Sequence, residues 1–170
     1  MDDFSEEDRR LLRWAPIAVI SAVIGSSPGG PVSIMQETGA AVQFFEQTAE
    51  SHRNNPLIAE ALIALKDRFE TYFQKPQEGA ANEINFFELG KDPNRALEAC
   101  RETNILIKFK ADPSEADEYR RWLVALADSV AKGAKEGGFM GIGGELVNDK
   151  ERAILESIAR ILGVEPPAAT

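Results

Sequence analysis

The sequence predicts an all-α fold, a single-domain bundle of about six helices over residues 1–164 with a flexible tail at 165–170. Three observations carry that expectation. Six apolar-periodic segments are each preceded by a side chain that can accept bonds from free backbone amides. An uncharged run from Trp14 to Gly25 is apolar nearly all round, as a helix in the middle of a core would be. At 170 residues the chain can bury about 70% of its unfolded surface, so a core forms without staples.

Ser5 with Asp8 opens the first helix, which runs to about Ile24. Ser33 and Gln36 have the spacing of a capping box, predicting a second helix from Ser33 to about Glu50. Asn55 followed by Pro56 supplies a cap and a proline at the first helical position of a third. Its apolar residues Ile58, Leu62, Leu65, Phe69 and Tyr72 recur at helical spacing up to about Gln74, while Lys66, Asp67 and Glu70 fall off the stripe. Between Pro76 and Lys91 periodicity drops, but Ile84, Phe86, Phe87 and Leu89 are too apolar for a free linker, and the expectation is an ordered flap on the bundle.

Asp92 and Pro93 start a fourth helix. Its end, Ile105 to Lys110, alternates like a strand, but a lone strand would have no partner, so the segment is assigned as helix. Asp112, Pro113 and Glu115 start a fifth, with Tyr119, Leu123, Leu126 and Val130 on one face. Asn148 and Glu151 start the last, with Ile154, Leu155, Ile158, Ile161 and Leu162 inward and Gly163 at its stop.

Composition narrows the functional classes. A net charge of -9, from 28 acidic against 19 basic residues, opposes phosphate binding, and nucleic acid is not an expected partner. The single cysteine, Cys100, excludes an intramolecular disulfide and a cysteine-based zinc site, and a reducing cytoplasm is the expected location. Within Leu11 to Gly25 the uncharged run from Trp14 to Gly25 is too short to cross a bilayer, which takes about 20 helical residues, and the segment follows an acidic start where a signal peptide needs a basic one. No transmembrane segment is expected.

Two segments invite a chemical reading. The glycine-rich loop Gly137 to Gly144 lacks the lysine and hydroxyl residue of a nucleotide loop and a preceding strand, and Glu145 and Asp149 would repel phosphate. It reads instead as a connector whose Phe139, Met140 and Ile142 pin it to the bundle or to a partner, making these three the candidate interaction residues. Glu136, Glu145, Asp149 and Glu151 form a candidate site for calcium or magnesium, since hard cations take carboxylate oxygens. The competing account assigns Glu151 to the Asn148 capping box and Asp149 to the favourable first turn of a helix.

No catalytic signature is present. His52 lies in a polar connector and reads as a surface or helix-end residue, and Cys100 sits among Ala96, Leu97 and Ala99 as a small buried hydrophobe. No enzymatic activity is expected.

A weak internal repeat runs through both ends of the chain. Arg10-Leu11-Leu12, a glycine turn and Pro31-Val32-Ser33 parallel Arg121-Trp122-Leu123, the loop and Leu146-Val147-Asn148. Over residues 120–164 the order of small-residue helix, Glu136-Gly137, turn, Val147, Asn148 and Glu151 resembles the tellurite-resistance protein B (TerB-like) family. Glutamate stands where that family has aspartate, GGFMGIGGEL lengthens the turn, and the first copy keeps only Val32-Ser33 and Gln36-Glu37. The resemblance implies an all-helical interaction module in a bacterial stress or tellurite-resistance response, with protein partners that include membrane-associated ones. It also implies a divalent-cation site among acidic residues and no established reaction.

Overall fold

The computed structural model describes residues 1, 3–26, 31–74, 90–136 and 147–167, without the side chains at 31, 67–74 and 134–136. Among these residues the chain forms α1 (Glu6–Ser26), α2 (Pro31–Ala49), α3 (Pro56–Gln74), α4 (Pro93–Lys110), α5 (Pro113–Glu136) and α6 (Asp149–Leu162). No strand occurs among them, and the fold is an all-α bundle. The expected flap over residues 76–91 lies outside the described residues except at its last two positions.

Most helix starts follow the local signals. The Ser5 amide donates to Asp8 Oδ2 at 2.7 Å and the Asp8 amide to Ser5 Oγ at 3.2 Å, a reciprocal capping box. Asn55 Oδ1 takes the amides of Leu57 and Ile58, and Asp92 and Asp112 take those of Asn94 and Ser114. Asn148 and Glu151 complete a second reciprocal box at α6, which stops at Gly163 in the left-handed region with φ 70°.

The start of α2 differs from the expectation. The helix begins at Pro31, so Ser33 lies inside it, and Ser33 Oγ donates to Glu37 Oε1 at 2.6 Å. A proline at the first helical position starts the helix two residues earlier because its fixed φ suits that site and its missing amide costs no bond there. The alternating end of α4 is helical through Lys110: Ile107 turns into the core while Ile105 and Phe109 point outward.

The core is organised around α1. It is buried at Leu12 and continuously from Ala15 to Ile24, and it touches all five other described helices. Across it α4 is antiparallel, with Lys110 reaching Asp8 at one end and Ala18 and Ala22 meeting Ala96 and Ala99 nearer the other. Small residues on both faces let these backbones approach. A Cβ on Gly25 would come within 2.3 Å of the Gly90 backbone.

The other long seam joins α2 to α5. At Gly133 a Cβ would meet the Ala40 Cβ at 2.4 Å, so glycine sets the spacing there. Toward the other end Phe44, Phe45, Tyr119 and Trp122 pack in edge-on and tilted pairs with ring centroids 5.9 to 6.2 Å apart. Trp122 Nε1 donates to Thr48 Oγ1 at 3.2 Å.

Pro16 sits inside α1 and has no amide to give the carbonyl of Leu12, four residues before it. Tyr119, fully buried on α5, donates its hydroxyl to that carbonyl at 2.7 Å.

Candidate functional site

Of the four acidic residues singled out as cation ligands, Glu151 is 2% exposed and its Oε2 accepts the Asn148 amide at 2.9 Å. Its own amide donates to Asn148 Oδ1 at 3.0 Å. That carboxylate is engaged in helix capping. Asp149 is exposed in the first turn of α6, where the helix dipole favours an acid. Glu136 ends α5 with its side chain outside the described residues, as are Glu145 and the whole Gly137–Gly144 loop with Phe139, Met140 and Ile142. Among the described residues no group of three or more His, Cys, Asp or Glu could hold a metal ion.

Cys100 is fully buried on α4 and burial pushes its thiol up to about 12, so little nucleophilic thiolate forms near neutrality. His52 occupies the turn after α2 with its side chain 27% exposed, and its Nδ1 lies 2.6 Å from Glu118 Oε1 on α5. The second oxygen of Glu118 accepts from Asn55 Nδ2 at 2.8 Å, and the same amide group donates to the Glu115 carbonyl at 3.0 Å. These bonds, Asn55 first and His52 second, hold the Glu118 carboxyl below the usual carboxylate range.

A second polar cluster joins α1 to α3. Glu60, 8% exposed, receives Arg13 Nε at 2.6 Å and Arg9 Nη1 at 3.2 Å, and Arg13 Nη1 also reaches Glu6 at 2.8 Å. The bond to Glu60 raises the pKa of the Arg13 guanidinium. The cluster fixes the orientation of the first half of α1.

Beside it lies an open groove of about 520 Å³. Leu11 and Trp14 of α1, Ala64 of α3 and Glu102 of α4 line it. Glu7, Asp8, Arg10 and Arg13 complete the lining. Ile63, the neighbour of Ala64, is 66% exposed. Ile105 and Phe109, three and seven residues beyond Glu102 on α4, are 59% and 79% exposed. The arrangement of its described lining residues suits an apolar contact with a polar rim.

The groove and the Glu118 cluster were not anticipated from the sequence. A helical projection of α4 places Ile105 and Phe109 opposite Cys100 and Ile107, which is the signal that could have found them. Glu118 and Glu60 carried none, because their partners come from other helices.

No protein-family model matches the chain, and neither a curated protein nor a solved structure matches it. Among the described residues, no helix is long and apolar enough to cross a membrane.

Proposed function

We propose that the chain is a non-catalytic TerB-like interaction module of a bacterial stress or tellurite-resistance response, acting in the cytoplasm through protein partners. The observation that carries the interaction reading is the groove lined by Leu11 and Trp14, together with exposed Ile63, Ile105 and Phe109 on α3 and α4, the helices that share its lining. Large apolar side chains left exposed on helices that line a groove favour a protein contact over a role confined to solvent. The TerB-like element of the proposal rests on Val147, Asn148 and Glu151, the last two of which form the capping box that opens α6.

Its test is partner capture from a bacterial extract by the parent and by an Ile105→Ser/Phe109→Ser variant, both checked for equal melting temperature. The proposal expects the folded variant to lose proteins that the parent retains. Identical captured sets would overturn the groove as the working surface.

A divalent-cation sensor or buffer is the second reading, supported by the acidity of Glu136, Glu145, Asp149 and Glu151. The engagement of Glu151 in its cap weighs against it. Thermal melting of metal-stripped protein with calcium or magnesium separates the two, because a bound cation raises the melt while an interaction module needs no such response.

A further inference from the structure

We propose that His52 and Glu118 form a proton-operated clasp that tightens the α2–α3 turn, and with it the start of α3, onto α5. The geometry is that of a fixed acceptor and a titratable donor. Glu118 Oε2 is locked by Asn55, which is 2% exposed, so Oε1 cannot swing away from the imidazole without breaking that bond. An ionised carboxylate only accepts, so the Nδ1 that lies 2.6 Å from it carries a proton. Neutral His52 therefore makes an ordinary hydrogen bond through the Nδ1–H tautomer, and protonation at Nε2 converts the contact into a charge-assisted ion pair.

His52 is the single histidine of the chain, so no other imidazole competes with it as the responsive group. The surrounding charges leave Glu118 as its partner. Glu50 and Arg53, on either side of His52 in sequence, pair with each other at 2.5 Å. On α5, Arg121 one turn beyond Glu118 reaches Asp117 at 3.6 Å.

The clasp reaches further than one surface pair because Asn55 does two jobs. Its amide nitrogen holds Glu118 and the Glu115 carbonyl, while its oxygen caps α3 through Leu57 and Ile58. Tightening at His52 is thereby transmitted to the α3 start. The sign follows from that geometry: the ion pair adds to the ordinary hydrogen bond only while the imidazole carries both protons, so the added stability is expected in acid.

The test is urea unfolding of the parent, His52→Gln, Glu118→Gln and the double variant at pH 5.5 and pH 8. Glutamine at 52 keeps a neutral donor without the proton. Expected is a loss in the folding equilibrium constant about two- to fivefold greater at pH 5.5 than at pH 8 for each single variant, the scale of a partly exposed pair. The double variant should show no further pH-dependent loss. A second readout is amide exchange at residues 52–58, corrected for intrinsic rates, which should slow on the acid side in the parent and not in His52→Gln. Equal losses at both pH values, or exchange indifferent to His52, overturn the clasp.

Discussion

The Tyr119 hydroxyl donates to the carbonyl of Leu12, the group that Pro16 leaves without an amide partner inside α1. A side chain 107 residues away in sequence thus satisfies a break in the central helix. Tyr119→Phe should cost about 1–3 kcal/mol, the range for stranding a buried acceptor. In a Pro16→Ala background, where an amide again faces Leu12, the same change should cost clearly less. Urea unfolding of the four proteins checks this, and equal costs in both backgrounds would refute the substitution of hydroxyl for amide.

Gly133→Ala sets two effects against each other. Alanine favours a helix interior over glycine by about 1 kcal/mol. Here the added methyl would sit 2.4 Å from the Ala40 Cβ, too close without moving α2 from α5. Overpacking of this kind costs about 1–3 kcal/mol, so the expected net result is a loss of stability. Ala40→Gly should recover part of it, and a stabilised single variant would show that the seam is looser than described.

Asp8 provides the acid-side prediction. Lys110 and the Ser5 cap hold its carboxyl below the usual aspartate value of 3.8. A depressed carboxylate stabilises the fold above its unfolded value, and that contribution is lost as pH falls through the folded value. Asp8→Asn, which preserves a capping oxygen, should therefore be less stable than the parent at neutral pH and converge with it below the aspartate range. Added salt should shrink the neutral difference, since the side chain is near the surface. Parallel pH profiles would rule out an ionic role for Asp8.

Cys100 should report on unfolding. Buried and with its thiol pushed up to about 12, it should react with an aromatic disulfide reagent only when the bundle opens. Labelling rates that track the denaturant dependence of unfolding are expected. Rapid labelling of the folded protein would place the thiol at an accessible surface.

The legibility of the fold differed by the range of each signal. Asn55-Pro56 and Asn148-x-x-Glu151 act within one helical turn, so their residue types predicted the caps that form. Ser33-Ile34-Met35-Gln36 has an equally good local pattern, yet Pro31 begins the helix first and Ser33 turns to Glu37. On α5 the stripe Tyr119, Leu123, Leu126 and Val130 was readable from spacing, and all four are fully buried. The candidate sites were less accessible to that reasoning. Glu60 meets Arg13 and Arg9 across 47 and 51 residues, and Glu118 meets His52 across 66. Such pairings depend on helix packing, for which no short motif exists. The loop residues Phe139, Met140, Ile142 and Glu145 remain the proposal of the sequence, outside the described residues.

The position of α1 bears on how the chain is made. It is translated before every helix that surrounds it, and α6, the last to touch it, ends at Leu162. Its apolar segment from Ala15 to Ile24 must wait in an incomplete nascent chain for cover supplied by later helices. Cover for α1 is complete only once the chain has been made as far as Leu162, so its apolar segment stays open while the helices that pack on it are still being added.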